Sequence, residues 1–134
     1  MLNTKIPTWI LIWSFVIALL PLGFGLQGYL DPGAHFPEAL TQGDAIYGGA
    51  IGLYIARNMA SVVITLFALA IRSAHMLIVV LLLRAVTDIF DVINNSISGT
   101  VNAELIIFAT LWISGSSIAI YQLWHLSPVN QQQA

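Results

Sequence analysis

The sequence predicts an all-α protein, a four-helix transmembrane bundle with antiparallel neighbours, on three observations. The 134 residues are 58% hydrophobic, only 7% are charged, and the mean hydropathy is +0.88, whereas a soluble globular chain carries roughly 25% charged residues. Four apolar stretches, at about 7–27, 46–70, 76–97 and 104–126, are each long enough to cross a hydrocarbon layer of about 30 Å at about 1.5 Å per residue. None alternates apolar and polar residues as a barrel strand would, so helices are the remaining way to satisfy backbone polar groups in lipid. Together the four spans form a single domain over residues 1–126, followed by a Gln-rich tail over 127–134 that is expected to be disordered.

The first stretch follows Lys5, and no A-x-A-like site succeeds it, so it reads as a span rather than a cleaved signal. Pro21 with Gly23, Gly25 and Gly28 predicts a kinked or loosened end leading into the longest connection, residues 28–45. In that connection Asp31-Pro32-Gly33 reads as a turn. Pro37 interrupts helix, residues 36–42 could lie amphipathically on the membrane surface, and Asp44 is a candidate cap for the second span. Two short connections follow, Arg72 to His75 and Ser98 to Ala103, and both imply antiparallel neighbours.

Acidic residues in the first loop (Asp31, Glu38, Asp44) oppose Lys5 and Arg72, so the positive-inside rule predicts cytoplasmic termini, in the cell membrane. Trp9, Trp13, Tyr121 and Trp124 near span ends read as an interfacial aromatic belt. The net charge of −2, with four Lys and Arg in all, argues against a nucleic-acid partner. With no cysteine there are no disulfides, thiol redox chemistry or thiolate metal sites. His35, His75 and His125 show no metal-ligand spacing, and no histidine at mid-membrane depth could serve a Ser-His-Asp triad. No metal and no cofactor is expected.

The third span contains the main anomaly, "LLLRAVTDIFDVINN" over 81–95. Arg84, Asp88, Asp91 and Asn95 recur at helical spacing and share one face, which the cost of charge in mid-bilayer turns toward the bundle interior. The second span carries Arg57 and Asn58. Counted from the short connection between the spans, Arg57 and Asp88 lie about 20 and about 18 Å deep. The expectation is a cluster in which Arg57 and Arg84 compensate Asp88 and Asp91 while Asn58 and Asn95 complete the hydrogen bonds. Tyr54, and Tyr47 further up, could line the same cavity. Glycines 48, 49 and 52, and the run Ser114-Gly115-Ser116-Ser117, read as small-residue patches for close helix contact.

"GLQGYLDP" after the first span, "IARNMASVVITLFALAIRSAH" in the second and "LLRAVTDIFDVINN" in the third resemble the DoxX-like superfamily of small four-helix membrane proteins. The resemblance covers roughly residues 15–125, and its most specific parts are Arg57-Asn58 and Arg84 with Asp88. It implies a four-helix membrane fold; the superfamily spans a subunit associated with quinol oxidation and accessory or assembly proteins, so it implies no single activity.

Two readings of the polar cluster follow from the residues. One is a site for a small lipophilic ligand, quinone- or isoprenoid-like, with acid/base turnover open because two carboxylates one turn apart can differ in protonation. The other is a clamp between helices in an accessory or assembly subunit that docks on a membrane-protein partner or on further copies of itself.

Overall fold

A computed structural model describes residues 6–31, 33 and 49–126. Among these residues four helices are complete: α1 (Thr8–Leu30), α2 (Ala50–Ala70), α3 (Ala74–Ile97) and α4 (Ala103–Leu126). There is no strand among the described residues. At about 1.5 Å per residue the helices are about 32 to 36 Å long. Three stretches are long and apolar enough to cross a membrane: Thr8–Leu30, Gly52–Ala70 and Ala103–Leu126. These are the marks of an integral membrane protein. Helix α3 is equally long, and Arg84, Asp88 and Asp91 set it apart.

The chain resolves into two compact units, residues 1–14 with 68–134 and residues 15–67, whose divisions fall within α1 and α2. In the 15–67 unit, α1 runs without interruption through Pro21 to Leu30 rather than loosening near residue 27 as expected. The reason lies in what the glycines face. A Cβ at Gly25 would sit 2.8 Å from Met59 Sδ, and one at Gly28 would sit 3.1 Å from Ile55 Cγ1, so these glycines bring α1 against α2 instead of ending the helix. The pairing of 25 with 59 and 28 with 55 also makes the two helices antiparallel.

In the other unit, α3 and α4 form an antiparallel hairpin packed along its length. Both ends of α3 are capped by sequence-local chemistry. Before it, Ser73 is extended and its Oγ accepts from Met76 N at 3.3 Å, just after Arg72 takes a left-handed φ of 50° to reverse the chain. After it, Ser98 N donates to Asn94 O, Gly99 supplies a φ of 70°, and Thr100 N donates to Asn95 O at 2.9 Å. Helix α4 then starts on Asn102, whose Oδ1 accepts from Leu105 N at 2.8 Å. The inward face of α3 carries Ala74, Leu77, Val80, Leu81, Ala85 and Asp88, opposite Ala109, Ser116, Ala119 and Leu123 of α4. The start of α1 joins this hairpin antiparallel to α4: Trp9 Nε1 donates to Gln122 Oε1 at 3.2 Å, and Trp13 lies against Gly115.

Most of the first connection (Pro32, His35, Pro37, Glu38, Asp44, Tyr47 and the 36–42 segment), Lys5, Gly48 and the tail over 127–134 lie outside the described residues.

Candidate functional site

The charged stripe of α3 takes the inward orientation that its spacing predicts. Asp88 is buried, and Arg84, Asp91 and Asn95 are half-buried on the same side, whereas Leu82, Leu83, Ile89 and Phe90 are exposed on the outer side. Within the stripe Arg84 Nη2 meets Asp88 Oδ1 at 2.8 Å, one turn apart. The carboxylate is almost wholly enclosed, with 8% of its side chain exposed against 17% for the arginine. An ion pair with so little access to water is a strong interaction at high desolvation cost, and it sets the Asp88 carboxyl beside a fixed donor.

Asn95 works at the end of the stripe rather than at its charged centre. Its Nδ2 donates to Asp91 O at 2.8 Å and its Oδ1 accepts from Thr100 Oγ1 at 2.8 Å, so the amide ties the α3 terminus to the turn. Arg57, Asn58 and Tyr54 lie in the other compact unit. There Asn58 is buried and its Nδ2 donates to Tyr54 O at 3.1 Å, in its own helix. Arg57, expected on the inside, is exposed, and its guanidinium carbon stands 5.7 Å from the centre of the Tyr54 ring, within cation–π range.

Three further polar groups, which the sequence pattern does not single out as a site, share the unit of Arg84 and Asp88. Ser14 and Ser116 are 0% and 1% exposed. Their hydroxyls, and the indole Nε1 of Trp13, are buried without a hydrogen-bond partner among the described residues. Trp13 is therefore an inward residue and not part of an interfacial belt. Its ring stacks at a tilt on Trp112, with centroids 4.9 Å apart, and lies over Gly115, where a Cβ would come within 2.7 Å of Cε2. Trp9, Tyr121 and Trp124 do face outward, as an interfacial belt requires.

Helical register brings these groups to one level. Counting inward from the α3–α4 turn, Arg84 lies thirteen residues from Ile97 and Ser116 thirteen from Ala103, each about 20 Å deep. By the same count Asp88 is level with Trp112. From the Trp9–Gln122 hydrogen bond, Ser14 is five residues along α1 and Ser116 six back along α4, depths of about 7.5 and about 9 Å. A polar layer thus crosses the interior of this unit, with an anion and a cation on α3, an indole and a hydroxyl on α1, and a hydroxyl on α4. No group of His, Asp and Glu among the described residues could hold a metal ion. Apart from that layer, a groove of about 400 Å³ lies at the ends of α1 and α4, lined by Pro7, Tyr121, Gln122, His125 and Leu126.

Fold and site together define a class: an all-α membrane protein with a buried ion-pair centre. No family model, curated protein or solved structure matches the chain.

Proposed function

We propose that this protein is an integral membrane protein that receives the polar end of a small lipophilic molecule, quinone- or isoprenoid-like, at the Arg84–Asp88 centre. The observation that carries the proposal is the ion pair itself: 2.8 Å long, almost enclosed, and on a helix whose first half holds a continuous apolar run up to Arg84. Small residues alone can hold membrane helices together, so buried formal charge is an expensive clamp, and intramembrane charge is characteristic of functional centres. Ligand sites between helices combine apolar walls with a few fixed polar groups, and the buried Leu81 and Ala85 share the inward face of α3 with Asp88. Arg84 is a donor for a ligand carbonyl. Asp88 is an acceptor for a ligand hydroxyl and has the chemistry to exchange a proton with it.

The proposal extends to a DoxX-like relationship, supported by the Arg57-Asn58 and Arg84...Asp88 motifs, and to residence in the cell membrane with both termini cytoplasmic, supported by Arg72 in the α2–α3 turn. The test is native mass spectrometry of the protein released from lipid nanodiscs. A single chain carrying a lipophile of constant mass is the expected result. Recovery instead with one fixed membrane-protein partner, and no lipophile, would favour an accessory subunit and overturn the proposal.

A further inference from the structure

We infer that Trp13, Ser14 and Ser116 form the second half of this ligand site, and that they select a lipophile bearing an oxygen acceptor, as a quinone carbonyl does. The inference rests on the lipophile reading above and adds the chemistry of the head group.

A buried hydroxyl or indole N–H without a hydrogen bond destabilises a fold, and alanine at 14 and 116 or phenylalanine at 13 would remove that cost. The chain nevertheless carries three such groups: Ser14 at 0% exposure, Ser116 at 1%, and the buried Nε1 of Trp13. Hydroxyls elsewhere in the same unit bond their own helix at Thr87, to Leu83 O at 2.9 Å, and at Ser117, to Ile113 O at 2.7 Å. Among the described residues, the buried hydroxyls without a partner are these two, at the level of Arg84 and on two different helices.

Their chemistry is donor-rich. Nε1–H can only donate, each serine can donate one proton, and the Arg84 guanidinium at the same level donates as well. A carbonyl oxygen with two lone pairs fits such a surround, whereas a hydrocarbon leaves the indole and both hydroxyls unpaired. Sites that present unpaired polar groups discriminate strongly against ligands lacking the complementary atom. The surfaces beside these donors also suit a flat ring, with the Trp13 and Trp112 rings at a tilt of 42° and Gly115 without a side chain.

The test uses the full chain in nanodiscs and isothermal titration with two probes, a short-chain ubiquinone and an alkylbenzene of similar size without oxygen. The wild type should prefer the quinone. Ser14→Ala/Ser116→Ala should weaken quinone binding about ten-fold or more and leave the alkylbenzene unchanged, with no loss of thermal stability. Unchanged quinone affinity in that variant overturns this inference alone, as does an equal loss for both probes. A lower melting temperature would also overturn it, because the hydroxyls would then be serving the fold. A wild type that binds neither probe overturns this inference together with the broader reading.

Discussion

Replacing Gly115 by alanine pits two effects of known size against each other. Alanine is the better helix former by about 1 kcal/mol, so in open surroundings the change stabilises. At 115 the new Cβ would lie 2.7 Å from Trp13 Cε2 and 2.8 Å from Cη2, about 1 Å inside ordinary carbon contact. The obstacle is the body of a rigid indole and not a flexible chain end, and the indole is itself stacked on Trp112. Overpacking of this kind costs about 1–3 kcal/mol, so the balance should fall on the destabilising side by up to about 2 kcal/mol. Gly23 is the internal control, since a Cβ there meets nothing within 4 Å and only the propensity gain applies. The assay is reversible unfolding of each variant in mixed micelles, followed by tryptophan emission. The reasoning is refuted if Gly115→Ala is as stable as Gly23→Ala, and supported further if Trp13→Leu restores stability in the Gly115→Ala background.

The other glycines and the ion pair extend this series. Gly25→Ala should cost less than Gly115→Ala in the same unfolding assay, because its nearest neighbour is the adaptable Met59 thioether at 2.8 Å. Asp88→Leu should lower stability by about 3–5 kcal/mol by leaving the Arg84 guanidinium without its carboxylate, whereas the double leucine variant should recover most of that loss. A double variant no better than Asp88→Leu would contradict this coupling of Arg84 to Asp88. Asn102→Ala removes the acceptor for Leu105 N and should cost about 1 kcal/mol in thermal denaturation, with α3 and α4 otherwise intact.

Much of the fold was legible because the membrane simplifies the code. Apolar length alone locates the four described helices to within a few residues, and the short connection over 98–103 predicts the antiparallel α3–α4 hairpin. The end of α1 runs further than the sequence suggests because proline and glycine carry two meanings. In water they loosen a helix, whereas here Gly25 and Gly28 admit Met59 and Ile55 of α2. The inward stripe of α3 was legible for a related reason, since the cost of charge in lipid leaves Arg84 and Asp88 only one side to face. Trp13, Ser14 and Ser116 were not, because a tryptophan near a span end reads as belt and a serine in an apolar helix reads as a small packing residue. Only tertiary contact reveals that Gly115 draws the indole inward and that both hydroxyls lack partners. Asn95 misled in the other direction, since helical spacing assigns it to the charged face while its amide is committed to Asp91 O and Thr100.

The most direct measurement of the central claim is photolabelling in nanodiscs with a short-chain azidoquinone, competed by the unlabelled quinone and mapped by peptide sequencing. The account predicts competable adducts on the inner faces around Trp13, Asp88 and Trp112. Adducts confined to outward residues such as Leu83 and Phe90, or insensitive to competitor, would contradict it.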